Sequence, residues 1–259
     1  MSATAVLSPA PRVALVTGGS RRIGRAISLA LARAGYAVVV HGSKATLDEN
    51  LVQDVAAVGG RCAFIGADLS RQADIDAAIL GAIAAAGPLS LLVNNASEFE
   101  DDTVGGLNPA RWDRHFAVNL KAPVFLAQAF AAQAPVGADA CIVNITDQRV
   151  RKPVPRQFSY TLTKCALDAA TVMLAQALAP RVRVNAVAPG PTLPSPRQDP
   201  GAFAEQQATL PLQRGPRPED IADAVVYLAG ATSVTGTTIT VDGGQHIAWK
   251  TPDVWGIEE

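Results

Sequence analysis

Seven short stretches of this chain are apolar almost from end to end: Val13–Thr17, Ala37–His41, Cys62–Gly66, Leu91–Asn94, Cys141–Ile145, Val182–Val187 and Thr238–Val241. Between them lie longer stretches with apolar residues at helical spacing, Ile23–Arg33, Leu47–Val58, Ala73–Ala86, Arg111–Gln133, Phe158–Ala179 and Pro218–Leu228. A strand that is apolar on both faces cannot leave one face in water, so each must lie in a parallel sheet covered by helices on both sides. The strict alternation predicts an α/β chain with a doubly wound parallel sheet of seven strands. With 49% hydrophobic residues and no break in composition, residues 12–259 read as one domain, preceded by a disordered tail over 1–11. A Pro-rich excursion at Pro189–Pro200 opens a candidate substrate lid near 189–210.

Several function classes are disfavoured at once. A formal net charge of −1 argues against a broad nucleic-acid or anionic-membrane surface. Cys62, Cys141 and Cys165 are far apart and odd in number, which argues against a disulfide framework and for a reducing, cytoplasmic setting. His41, His115 and His246 have no metal-ligand spacing, so no metal site is expected. Neither a signal peptide nor an apolar run of membrane-spanning length is expected.

The first strand runs into Thr17-Gly18-Gly19-Ser20-Arg21-Arg22-Ile23-Gly24, and a helix follows. Glycines are required where the backbone turns sharply and lets a pyrophosphate approach the free N–H groups of a helix N-terminus. This places a dinucleotide on a Rossmann-type sheet, with Gly18, Ser20, Arg22, Ile23 and Gly24 in contact with it. An NAD binder usually ends its second strand on Asp or Glu, to hold the ribose 2′-hydroxyl. Here that stretch is His41-Gly42-Ser43-Lys44, with no carboxylate before Asp48. Lys44, Ser43 and Arg22 suit a 2′-phosphate, so NADPH is the expected cofactor.

The turn, Asn94-Asn95-Ala96, Asn119, the Tyr160-x-x-x-Lys164 pair and Pro189-Gly190 occur in this order, and together they resemble the short-chain dehydrogenase/reductase family. The resemblance spans nearly the whole chain. It implies that Tyr160 transfers the proton, that Lys164 lowers the tyrosine's pKa and holds the nicotinamide ribose, and that Asn119 supports a water relay. It also implies cofactor contacts at His41, Asp68, Leu69, Asn94, Ala96, Ser97, Pro189 and Gly190, and a homotetramer. The physics is consistent, since residues four apart share a helix face and an ammonium stabilises a nearby phenolate.

Three departures narrow the resemblance. Arg22 replaces a glycine of the turn, Ser97-Glu98-Phe99 follows Asn-Asn-Ala, and Asp147 stands thirteen residues before Tyr160, where the family keeps a serine. All three resemble the pteridine reductases and bacterial dihydromonapterin reductases. A serine hydroxyl donates to a ketone oxygen, whereas an ionised carboxylate only accepts. Against a developing oxyanion Asp147 would cost a few kcal/mol, on the order of one lost oxyanion-hole donor. A pterin makes the opposite demand, because its ring N–H and amino groups donate and its C=N nitrogens need protons. A carboxyl partly protonated by burial helps to supply those protons. The expected substrate is therefore a pterin, met by Asp147, Tyr160 and Arg22; the resemblance implies that Ser97 and Phe99 line the pterin site, Phe99 offering a flat face for stacking.

Two other readings remain open. One is a carbonyl reductase acting on a 3-oxoacyl, sugar or steroid-like ketone, with Thr146 or Asp147 in place of the serine. The other is a non-catalytic NADPH-binding regulator, against which the intact Tyr160, Lys164 and Asn119 argue. Arg149, Arg151, Lys152 and Arg156 read as a solvated basic loop, with capture of an anionic substrate tail as the alternative. The extension His246–Glu259, with Trp249 and Trp255, is expected to pack on a neighbouring subunit.

Overall fold

A computed structural model of the chain describes residues 12–43, 48–134, 137, 139–195 and 199–249. The expected tail, Lys44, and the end of the C-terminal extension with Trp255 lie outside these residues. Strands β1 (Val13–Val16), β2 (Ala37–Gly42), β3 (Arg61–Gly66), β4 (Leu91–Asn94), β5 (Ala140–Ile145), β6 (Val182–Pro189) and β7 (Thr238–Val241) form one sheet. Every pairing is parallel, and the order is β3-β2-β1-β4-β5-β6-β7.

Strand alternation divides the core into two layers. Val13 and Leu15 of β1 pack in one cluster with Leu92, Leu126, Phe130 and Ile142. Ala14 and Val16 point the other way, into a cluster with Ile27, Leu31, Leu51 and Val225. Helices α3 (Gln72–Ala86), α5 (Ala122–Gln133) and α6 (Phe158–Leu178) supply the first layer. Helices α1 (Arg22–Arg33), α2 (Glu49–Ala57) and α8 (Pro218–Gly230) supply the second. A fully buried leucine or phenylalanine contributes roughly 1.5–3 kcal/mol, so each layer depends on its strand register.

Two helical regions differ from the expected spans. The stretch expected as one helix over Arg111–Gln133 is α4 (Pro109–Phe116), a π-helical turn over Ala117–Lys121, and α5. Pro123 has no N–H to give the carbonyl four residues back, that of Asn119, and its ring crowds that carbonyl. Widening the helix to an i→i+5 bond, Ala122 N–H to Ala117 O, carries the chain past it and puts Asn119 in the widened turn. Within the lid region, α7 (Pro200–Ala208) begins where Asp199 accepts from the Ala202 N–H at 2.9 Å, with Pro200 in the first turn. No helix among the described residues is long and apolar enough to cross a membrane.

The strand order reverses between β1 and β4, so the loops leaving their carboxyl ends diverge and leave a crevice. The candidate site residues gather there.

Candidate active site

Thr17 ties the two strand ends together. Its N–H donates to Val93 O at 3.0 Å, and its hydroxyl accepts from the N–H groups of Asn95 and Ala96, both at 2.9 Å. The Asn95 amide donates to the carbonyls of Thr17 (2.8 Å) and Gly18 (3.1 Å). Gly18 has φ +60°, and its N–H donates to His41 Nδ1 at 3.1 Å. His41 Nε2 lies 2.9 Å from Ala67 O. An imidazole that accepts at Nδ1 carries its proton at Nε2, so His41 is neutral here, and burial lowers its pKa. A Cβ on Gly24 would strike Gly18's carbonyl oxygen, so α1 starts this close to the turn with glycine alone. These contacts leave room for a pyrophosphate at the N-terminus of α1, and the cradle fits a dinucleotide.

Arg22, where a glycine would be relaxed, adopts φ +53°. Its guanidinium reaches across the crevice to the carbonyls of Pro194 (3.0 Å) and Leu193 (3.3 Å). The phosphate turn is thereby tied to the candidate lid. Between them lies a cleft of about 690 Å³, lined by Arg22, Ile23, Phe99, Asp147, Tyr160 and Gly190 among the expected residues. Thr192, Leu193, Phe203 and Gln206 line its lid side.

Tyr160 and Lys164 share one face of α6. The Tyr160 hydroxyl donates to Asp147 Oδ2 at 2.9 Å. Lys164 Nζ donates to Ile145 O at 2.8 Å and sits 5.7 Å from the tyrosine ring centroid. Burial pulls the Lys164 pKa down to about 8, against an opposing pull from Asp147. The Tyr160 pKa is pushed well above the ordinary phenol value, first by burial and then by the Asp147 charge, with Arg149 acting in the opposite direction. Burial and the Asp147 charge outweigh the lowering expected from Lys164.

Asn119 is fully buried. Its Oδ1 accepts from Glu98 N–H (2.8 Å) and the Ser97 hydroxyl (3.2 Å), and its amide donates to Glu98 O (2.9 Å) and Thr163 Oγ1 (3.2 Å). Phe99 meets Tyr160 edge to face with centroids 4.7 Å apart.

Some expected contact residues are turned inward. Asn94 is 2% exposed, and its amide donates to Asn144 Oδ1 at 2.9 Å in a chain that continues to Thr171. Leu69 is buried and His41 has spent both ring nitrogens, so their side chains shape the crevice from behind. Asp68 accepts from the Ser70 N–H and hydroxyl, which lowers its pKa, and Ser43 is exposed at the end of β2.

Two residues were missed by sequence reasoning. Asn95 was signalled by its place in Asn-Asn-Ala. Arg149 had no such signal: it donates to Asp147 Oδ2 at 3.2 Å, and its guanidinium lies 5.7 Å from the Phe99 centroid and 5.8 Å from that of Tyr160. Its guanidinium gives Asp147 a countercharge inside the cleft. Of the basic loop, Arg151, Lys152 and Arg156 are exposed, as a solvated loop requires, with Arg156 pairing with Asp101 and Lys152 donating to Ala248 O; Arg149 alone turns inward.

The profile of the family described as "Enoyl-(Acyl carrier protein) reductase" matches residues 18–246. The crystal structure of FolM alternative dihydrofolate reductase 1 from Brucella suis, in complex with NADP, superposes with a TM-score of 0.89. It is 49% identical over 94% of this chain and 98% of that one. An uncharacterised oxidoreductase of Methylorubrum extorquens is 37% identical, covering 90% of this chain and 97% of its own length. The 3-oxoacyl-[acyl-carrier-protein] reductase FabG of Staphylococcus aureus is 35% identical, covering 90% and 98%. The chain is an oxidoreductase and belongs to the short-chain dehydrogenase/reductase family.

Proposed function

We propose that the protein reduces a dihydropterin, of dihydromonapterin, dihydrobiopterin or dihydrofolate type, to its tetrahydro form with NADPH. The observation that carries this reading is the 2.9 Å bond from the Tyr160 hydroxyl to a carboxylate, Asp147, inside the cleft. Reducing a C=N bond adds a hydride at carbon and a proton at nitrogen, and leaves no oxyanion for Asp147 to oppose. The likeness to an alternative dihydrofolate reductase complexed with NADP supports the same substrate class.

Bound NADPH supplies the hydride. The turn Gly18–Gly24 with Ser20 and Ile23 would hold its pyrophosphate; Ser43 and Lys44 its 2′-phosphate; and Asp68, Leu69, Ala96, Ser97, Pro189 and Gly190 the rest of its length. Tyr160, whose high pKa keeps it protonated, acts as the acid and delivers its proton to the ring nitrogen. Lys164 holds the ribose and, with Arg149, offsets the charge left on the phenolate beside Asp147. Phe99 gives the pterin ring an apolar flank, and the lid over 189–210 excludes water. Asn119 fixes Ser97 and Glu98. The three cysteines are free, in keeping with a cytoplasmic enzyme. Phe125 on α5 and Leu162 and Met173 on α6 are exposed, in keeping with a homotetramer.

A 3-oxoacyl or other carbonyl reductase is the second reading, favoured by the FabG relatives. Following reduced-nicotinamide absorbance with dihydrobiopterin, dihydrofolate and a 3-oxoacyl thioester separates the two. Turnover with the pterins and little with the thioester is expected; the reverse order overturns the proposal, and no turnover with any acceptor selects a non-catalytic NADPH-binding protein.

A further inference from the structure

Helix α6, which carries Tyr160 and Lys164, has no cap of its own. Gln157, the residue before it, sits at φ +50° and makes no side-chain bond to the first turn. The first N–H groups of a buried helix need acceptors. They come from a loop more than fifty residues earlier: Phe158 N–H donates to Asp102 O at 3.3 Å, and Ser159 N–H to Asp102 Oδ1 at 3.2 Å.

The connection runs further. The Ser159 hydroxyl makes a short bond to Asp102 Oδ2, and His115 Nδ1 lies 2.6 Å from Ser159 Oγ. His115 Nε2 accepts from Glu100 N–H at 3.1 Å, so the ring proton sits on Nδ1 and Nδ1–H donates to Ser159. Ser159 in turn donates to Asp102. Every group in the chain His115→Ser159→Asp102 is matched, and the three residues are 0%, 0% and 5% exposed. Burial lowers the His115 pKa, in agreement with a neutral ring. This is not a hydrolytic triad: the serine sits between the other two, points its proton at the carboxylate, and is sealed from the cleft.

We propose that Asp102, Ser159 and His115 are positioning residues that fix the Tyr160 hydroxyl in line for proton transfer. Ser159 is the residue before Tyr160, and the His115 ring flanks the tyrosine ring edge-on at 6.3 Å. The loop that ends in Asp102 also carries Phe99, edge to face with Tyr160, and Glu98, bonded to Asn119. One network thus sets α4, the 98–102 loop and the start of α6 relative to each other. A displacement of about 1 Å at the reacting atom costs on the order of 10²-fold in rate. The inference rests on Tyr160 being the proton donor, and holds for a pterin or a ketone alike.

The test uses the full-length enzyme with Ser159→Ala, His115→Leu, His115→Asn and Tyr160→Phe, measuring kcat, KM, NADPH Kd, Tm and the solvent deuterium isotope effect on kcat. Ser159→Ala and His115→Leu are expected to lower kcat by about 10- to 100-fold and raise the isotope effect, with the NADPH Kd within about twofold of the parent. Asparagine at 115 carries an amide N–H where Nδ1–H lies and can donate to Ser159, and is expected to recover part of the kcat lost in His115→Leu. A lowered Tm with kcat and isotope effect unchanged would show a merely structural network and overturn the proposal. Full activity in Tyr160→Phe would instead remove the proton-donor reading beneath it, whereas an inactive Tyr160→Phe beside fully active Ser159 and His115 variants sinks the positioning role alone. Should His115→Leu fail to fold, Ser159→Ala, a loss of one oxygen, still decides.

Discussion

The Tyr160 hydroxyl donates a 2.9 Å hydrogen bond to Oδ2 of Asp147. A phenol that donates to a carboxylate in a buried site is held protonated, since losing the proton would set two anions side by side. This arrangement suits the proposed role of Tyr160 as an acid.

Lys164 is a buried ammonium whose pKa falls from 10.5 to about 8, a cost to folding on the order of 3 kcal/mol at neutral pH. Between those values the unfolded chain binds the extra proton, so the lysine's contribution to stability rises as pH goes from 8 to 10.5. Lys164→Met is expected to raise the Tm of the cofactor-free protein and flatten its dependence on pH above 8, while nearly abolishing turnover. Thermal melts across pH check both halves; a lowered Tm contradicts the reading.

Arg22 links the phosphate turn to the carbonyls of Leu193 and Pro194. Arg22→Ala should free the lid. Substrate KM is expected to rise by about tenfold, and proteolysis near residues 191–195 to quicken in the absence of ligand. Limited proteolysis with mapping of the cut site checks this; an unchanged cutting rate contradicts the tie.

His41 offers Nδ1 to the Gly18 N–H only while neutral. His41→Leu leaves that N–H unmatched, at a cost of about 1–3 kcal/mol, and is expected to weaken NADPH binding by about tenfold or more. Burial lowers the imidazole pKa, so the unfolded chain takes up this proton first as pH falls below about 6.5, and acid should cost stability there. NADPH titrations of parent and variant at pH 7 measure the first effect, and thermal melts of both between pH 7 and pH 5.5 the second; equal affinities, or a parent Tm that falls no more than the variant's, would contradict them.

Arg149 shares Oδ2 of Asp147 with Tyr160 and lowers the pKa of the phenol. Its loss in Arg149→Met should leave a less compensated carboxylate against Tyr160 and drive the phenol further up. A fall in kcat of about tenfold with little change in NADPH Kd is expected from steady-state kinetics. Wild-type kcat would assign the guanidinium to the surface.

The sheet was readable from sequence because apolar residues on both faces of seven short runs leave a parallel arrangement as the way to bury them. That Tyr160 and Lys164 share a face was readable because they stand one helical turn apart on a single element. What escaped depended on side chains that meet only after folding. Asp102 caps α6 from a separate loop, and Arg149 looks like any solvated cation until Asp147, two residues earlier, is seen turned inward. The π-helical turn at Asn119 had a local sign in Pro123, and α7 had one in Asp199-Pro200, both hidden inside regions already assigned to a helix and a lid. Lys44, the cation expected for a 2′-phosphate, lies outside the described residues.

The preference of the cleft for a nitrogen heterocycle over a ketone is tested most directly by Asp147→Ser. The measurement is the ratio of kcat/KM for a dihydropterin to that for a 3-oxoacyl thioester, in parent and variant, with NADPH Kd alongside. A parent ratio well above one is expected, falling by about 10²-fold or more in the variant with cofactor affinity retained. A ratio below one in the parent, or one that the serine leaves unchanged, would contradict that preference.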